Sequence, residues 1–257
     1  MRSKYLAAMV LAAGLPAAAL AAEEKADGVT QWTGDFGLGL LFKRGNTNSD
    51  SVNATANASR ESAFWRHTAK AEANNQKEKD PDTGDYTRTA ENYFASYKLD
   101  RKLAKDSKNY LFNVVTYEKD NFSGYQYQAS YALGLGRRWF DTPTQRLDTE
   151  LGPGYRVKCL EPETSYGSCK DKEEDLIARA AVKYYWKISD SAEFTEDVSS
   201  EIGQSSTSTR AETALTSKIN SHFSMRLRYL LTHESTVPAG TKHADHQLTV
   251  GLVYTLK

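Results

Sequence analysis

The residues best suited to chemistry lie near the end of the chain, where His233, Glu234, His243, Asp245 and His246 are close in sequence. Imidazole and carboxylate groups can act together as general acid–base pairs, and three histidines beside acids are potential Zn²⁺ ligands. The spacing matches no helical or hairpin ligand motif. We therefore interpret these residues as solvated loop side chains, and a hydrolase with a His/Asp site in this loop is the alternative function.

Other signatures of catalysis are missing. The sequence has no Gly-x-Ser-x-Gly nucleophile motif, no phosphate loop and no dinucleotide-binding motif, so we expect no cofactor and no enzyme activity. Its 33 basic residues balance its 33 acidic residues, which gives no reason to expect nucleic-acid binding.

The two cysteines, Cys159 and Cys169, are ten residues apart. A metal site would need further ligands nearby, and none is clustered there. In an oxidising compartment, two cysteines at this spacing indicate a local disulfide.

The N-terminus has the order of charges and apolar residues that is typical of an export signal. Arg2 and Lys4 precede an apolar stretch over 5–15, and Ala19-Leu20-Ala21 fits the small-x-small rule for signal peptidase. We predict a Sec-type signal peptide over 1–21, cleaved after Ala21 or Ala22, with an anchor helix as the alternative. A short periplasmic segment over 22–29 then leads into one domain over 30–257.

The rest of the chain alternates between apolar and polar residues with a period of two. In the clearest segment the apolar residues occupy alternate positions, namely Tyr125, Tyr127, Ala129, Tyr131, Leu133, Leu135 and Trp139. Twelve such segments are long enough to cross a bilayer as tilted strands of about 9–11 residues. Mean hydropathy is only −0.63, as expected when every second strand residue faces lipid. We predict an all-β fold, a transmembrane antiparallel up-and-down β-barrel of about 12 strands.

The alternating pattern defines some strands and connections of this barrel less clearly than others. In segment five we assign the apolar, outward parity to Tyr110, Phe112 and Val114, whereas segment four allows either parity. Long outer loops are predicted at 159–173 and 233–245, and 100–108 looks too long for an inner turn. Glu196 falls on the lipid-facing parity, which indicates either a position near the membrane interface or a bulge.

Two further features favour the outer membrane. Trp32, Trp65, Trp139 and Trp186 all fall at the inner ends of their segments, as in a periplasmic aromatic girdle. The sequence from Thr249 to Leu256 resembles the C-terminal barrel-assembly signal. We therefore expect outer-membrane lipids and the barrel-assembly machinery as partners.

Charged residues occupy many of the alternate strand positions that would face the barrel lumen. This set comprises Arg138, Arg146, Arg156, Arg179, Lys183, Arg210, Arg226, Arg228, Asp148, Glu150, Glu193, Asp197, Glu201 and Glu212. Charges inside a barrel must be paired or solvated. The lumen is therefore either a narrow channel for small solutes or ions, or a salt-bridged interior that only stabilises the barrel.

Several short motifs resemble the YdiY-like family of salt-induced outer-membrane proteins. They are Trp32-x-Gly34, the stretches 44–47, 117–124, 134–137 and 151–155, and 238–240 before Asp245. The resemblance covers about residues 30–257. It implies a barrel in the outer membrane of a Gram-negative cell and a link to osmotic or salt stress, and it carries over no catalytic residues.

Overall fold

A computed structural model of the chain describes residues 31–256, apart from 44–47, 81–82, 121–124, 161–168, 170 and 238–239. The predicted signal peptide over 1–21 and the segment over 22–29 lie outside the described residues. The described residues contain no helix long and apolar enough to span a bilayer.

Twelve antiparallel strands form one closed barrel, in which each strand pairs with its neighbours in sequence and β12 pairs with β1. The predicted fold class is confirmed. The strands are β1 (Thr33–Lys43), β2 (Ser49–Glu61), β3 (Trp65–Lys79), β4 (Tyr86–Lys102), β5 (Asn109–Asp120), β6 (Tyr125–Asp141), β7 (Gln145–Leu160), β8 (Lys172–Lys187), β9 (Ala192–Ile202), β10 (Thr207–Lys218), β11 (Phe223–Glu234) and β12 (Ala244–Leu256).

Side chains alternate between the outside and the lumen because successive Cβ atoms of a strand point to opposite faces. In β6 the outward-facing Leu133 and Leu135 are 46% and 60% exposed, whereas the lumen-facing Ser130 and Ala132 of the same strand are buried. The exterior is therefore mostly apolar, and most charged side chains of the strands lie inside.

We call the end at which β1 begins the proximal rim and the opposite end the distal rim. Because neighbouring strands are antiparallel, Trp32, Trp65, Trp139 and Trp186 all lie at the proximal rim. Three of them, Trp65, Trp139 and Trp186, are 39–52% exposed. This ring has the position and exposure of an interfacial aromatic girdle.

The connections differ in part from the expected alternation of lengths. β4 extends to Lys102, so the proximal connection that looked too long is only 103–108. The distal connections 161–171 and 235–243 are long, but the distal connection 203–206 is as short as a proximal turn. That short connection is held by contacts inside the barrel, described below.

The predicted facing of β5 is wrong. Tyr110, Phe112 and Val114 are 1–4% exposed and form an apolar cluster with Ala132 inside the barrel, whereas Leu111 and Val115 face outward. Gly136 of β6 makes room for this arrangement, because a Cβ there would overlap the ring of Tyr110. Both faces of β5 are apolar, so alternation alone could not choose between them.

β1 and β12 pair over only part of their length. The pairing runs from Gly34 opposite Leu256 to Leu38 opposite Leu252, at the proximal end of both strands. β1 pairs with β2 along its whole length, up to Lys43 opposite Ser49. The seam that closes the barrel is thus secured by its proximal half.

Candidate functional site in the barrel lumen

The lumen is crossed by a network of ion pairs that joins strands far apart around the barrel. Arg210 of β10 donates to Glu72 of β3 at 2.7 Å, and Lys70 of β3 lies 2.6 Å from Glu212 of β10. Arg228 of β11 contacts both carboxylates, at 2.5 Å from Glu72 and 2.7 Å from Glu212. We call these five residues the bridge cluster. β3 and β10 are five strands apart by the shorter path, so the cluster spans the interior.

Arg210 also reaches the opposite wall. Its guanidinium carbon lies 4.2 Å from the ring centroid of Phe94, within the range of a cation–π contact. Phe94 belongs to β4, which is six strands from β10 and therefore diametrically opposite it. Glu72 and Phe94 are paired positions of the adjacent strands β3 and β4, so Arg210 contacts one region of the opposite wall through both side chains.

A second group of ion pairs lies nearer the proximal rim, and we call it the wall cluster. Asp100 of β4 lies 2.6 Å from Arg66 of β3 and 2.8 Å from Lys98. Lys98 also pairs with Glu150 of β7, and Arg66 lies 3.3 Å from Asp148 of β7. These charges cover the apolar cluster of β5, since Tyr110 donates to Glu150 at 3.0 Å.

The distal connection 203–206 folds inward onto Arg156 of β7. Arg156, only 1% exposed, donates to the backbone oxygen of Ser206 at 2.6 Å and to Asp175 at 3.0 Å. Lys158 holds the hydroxyl of Ser206 at 2.8 Å. A Cβ at Gly203 would come within 2.6 Å of Asp175, so glycine permits this close seating. This short connection therefore folds over the lumen instead of extending outward.

Two cavities lie between these groups in the part of the barrel that the structure describes. The larger, the central chamber, has a volume of about 300 Å³ and is lined by side chains of β2–β6 and β8–β11. The smaller, the distal vestibule, has about 40 Å³ and lies beneath the distal connection 235–243. Glu118, Ser208 and Arg210 line both cavities. Arg210 therefore stands at the partition between them.

The structure places each charge singled out from the sequence. Arg138 pairs with Asp148 at 2.8 Å, Arg179 with Glu201 at 3.2 Å, and Lys183 with Asp197 at 3.3 Å. The other contacts are Arg226 with Asp35 at 2.8 Å, Arg146 with Asp141 at 3.0 Å at the exposed proximal rim, Tyr185 with Glu193 at 3.4 Å, Lys98 with Glu150, Arg228 with Glu212, Arg210 with Glu72, and Arg156 with Asp175.

Sequence reasoning missed the contribution of β3 and β4. Arg66, Lys70 and Glu72 alternate with Ala69 and Ala71, so their inward facing was visible in the pattern. What the pattern did not contain is their partners across the lumen, because cross-barrel contacts have no fixed spacing in sequence.

The histidine cluster is divided between the two faces of the wall. His246 contacts the hydroxyl of Tyr229 at 2.6 Å on the outside, while Glu234 pairs inside with Lys158 at 2.7 Å. His233 stacks with His243 at 6.4 Å between ring centroids. Within the part of the chain that the structure describes, no three His, Cys, Asp or Glu side chains are placed to hold a metal ion.

Cys159 and Cys169 form a disulfide with an S–S distance of 2.07 Å. It links the end of β7 to the connection 161–171, at the distal rim. The bond therefore ties Cys169 to the distal end of β7.

Comparison with known proteins places this barrel in a family. A model described as protein of unknown function, DUF481, matches residues 36–256. The chain belongs to the DUF481 family. The uncharacterized protein YdiY of Escherichia coli (strain K12) is 27% identical over 239 residues, which cover 91% of this chain and 87% of that protein. The resemblance to YdiY-like proteins is confirmed.

A solved structure of the NanC porin resembles this DUF481 barrel, with a TM-score of 0.50 and 12% identity over 87% of this chain and 100% of that chain. At this identity the likeness concerns the fold alone. This DUF481 chain thus shares a β-barrel fold with that structure, and its own barrel is closed and has twelve strands.

Proposed function

We propose that this chain is an outer-membrane β-barrel that forms a narrow channel for small hydrophilic solutes, constricted by the bridge cluster. The observation that carries the proposal is the position of Arg210, which lines both cavities and pairs across the lumen with Glu72. A lumen that served only as a core would be filled with side chains, whereas this one keeps a chamber of about 300 Å³.

The proposal includes the route to the membrane. Export by the signal peptide over 1–21 would leave 22–29 in the periplasm and insert 30–257 through the barrel-assembly machinery, which reads the C-terminal strand. The proximal rim would then face the periplasm, with its tryptophans at the lipid interface. A role under osmotic or salt stress is part of the proposal, and catalysis is not.

Planar-bilayer recording of the refolded protein tests the channel. We expect small unit steps for the wild type and a several-fold larger unit conductance for Arg210→Ala, because the partition between the cavities is removed. Arg146→Ala is the matched control, since Arg146 pairs with Asp141 at the exposed rim. It should leave the unit conductance unchanged.

The second candidate is a structural barrel, favoured by the number of ion pairs that cross the lumen. Silent bilayers with both the wild type and Arg210→Ala, from protein whose heat-modifiable migration on a gel shows that it is folded, would support this candidate and overturn the channel.

A further inference from the structure

The two cavities that meet at Arg210 present opposite charge. The distal vestibule is lined by four carboxylates and by two basic side chains, Arg210 and Lys242. The carboxylates are those of Glu118, Asp120, Glu234 and Asp245. A solute that enters from the distal side therefore meets a surface that favours positive groups.

The central chamber has the reverse balance, with six cationic and four anionic side chains in its lining. The cations are Lys70, Lys98, Arg179, Lys183, Arg210 and Arg226. Several of the carboxylates that pair with them, namely Glu72, Asp100 and Glu150, are not among the lining residues. The lining thus has more cationic than anionic side chains, because some of the neutralising carboxylates are not part of it.

This reversal of charge between the two cavities disfavours the passage of ions that carry only one sign of charge. An anion is repelled in the vestibule and a cation in the chamber, because charges a few ångströms apart interact strongly where little water separates them. A molecule that carries both signs finds a favourable partner in each cavity. At about 300 Å³ the chamber is at the small end of ligand-binding cavities.

One wall of the chamber offers both signs at once. Lys183 and Asp197 lie 3.3 Å apart, and their side chains are 34% and 41% exposed. A part-exposed pair of this kind is held weakly and can exchange partners with a ligand. We propose that the chamber binds a small zwitterion, with its carboxylate at Lys183 and its ammonium group at Asp197. The inference rests on the channel proposed above and names the class of solute.

Uptake into proteoliposomes tests this inference with four molecules of similar size, namely glycine, glycolamide, glycolate and ethanolammonium. We expect glycine to enter several-fold faster than the other three. Faster or equal entry of any of the other three would overturn the zwitterion while leaving the channel standing. If none enters faster than into protein-free liposomes, the channel and the zwitterion both fail.

Two variants sharpen the test. Asp245→Asn should favour glycolate over ethanolammonium relative to the wild type, and Lys183→Gln should do the opposite, each by roughly two- to five-fold, the effect of one charge acting through water at about 4–8 Å. Lys105→Gln is the control, since Lys105 is exposed in the proximal connection 103–108. If the three variants behave alike, the two cavities do not discriminate by charge and the inference is wrong.

Discussion

The bridge cluster and the wall cluster use the same chemistry in different surroundings. In the wall cluster, the side chains of Asp100 and Glu150 are each 1% exposed and lie against the apolar cluster of β5. In the bridge cluster, Lys70 and Glu212 are 20% and 17% exposed, beside the central chamber. Asp100 and Glu150 are thus drier than Lys70 and Glu212, although Glu72 and Arg228 of the bridge cluster are also buried, at 6% and 5%.

The difference determines what each network can do. A dry ion pair is costly to break because each partner would be left as an uncompensated buried charge. A pair that borders water can open at lower cost, since water replaces the lost partner. We therefore infer that the wall cluster holds the barrel together and that the bridge cluster sets the size of the passage.

Removing one carboxylate from each cluster is the most direct way to break this distinction. We expect Asp100→Ala to lower the free energy of unfolding by about 3–5 kcal/mol, as for a broken buried pair. Glu212→Ala should cost less, roughly 1–3 kcal/mol, but should raise the unit conductance. Urea unfolding in lipid vesicles and planar-bilayer recording measure the two effects. Equal losses of stability with equal conductance would remove the distinction.

The apolar support of the wall cluster predicts a second large effect. Phe112 is 1% exposed inside the barrel, so Phe112→Ala should cost about 3–5 kcal/mol through lost burial and a cavity. Leu111→Ala, on the outward face of the same strand, leaves no enclosed cavity and should cost roughly 2 kcal/mol or less. The same unfolding assay ranks the two variants. The reverse order would mean that β5 faces the other way.

Much of this architecture was predictable from the sequence, because strand number, strand order and the inward parity follow from alternation and turn residues. The facing of β5 was predicted wrongly because this strand is apolar on both faces. Its actual facing depends on the packing of Tyr110 over Gly136 of the neighbouring strand. No period-two pattern contains that information.

The candidate site was predictable only as a list of inward charges. Arg228 and Glu212 were identifiable by parity, but their meeting with Glu72 depends on the closure of the barrel, which brings β3 towards β10 and β11. The inward fold of 203–206 onto Arg156 was also invisible, because a four-residue connection looks the same whether it caps the lumen or leaves it.

Salt should separate the two clusters without any mutation. Screening acts strongly on charges in contact with water and weakly on buried ones. Between about 0.1 and 1 M KCl, over which the Debye length falls from about 10 to 3 Å, we expect unit conductance to rise more steeply than bulk conductivity. The unfolding midpoint should change little. Conductance that only follows the bulk conductivity would show that the bridge cluster does not open.

The smallest expected effect concerns a charge outside both clusters. Glu196 lies on the outward face of β9, and the register of β8–β10 is regular, so these strands do not contain the bulge considered from the sequence. The Glu196 carboxylate accepts a 2.6 Å hydrogen bond from the Thr213 hydroxyl. A carboxylate facing lipid is unfavourable, by less than the roughly 2–4 kcal/mol of a cation at the midplane. Glu196→Val should therefore stabilise the barrel by about 1 kcal/mol. Thr213→Val alone should destabilise it, because Glu196 then loses its donor, and the double variant should recover the stability of Glu196→Val. If Glu196→Val lost stability instead, the Glu196 carboxylate would stabilise the barrel, as the paired charges of the lumen do.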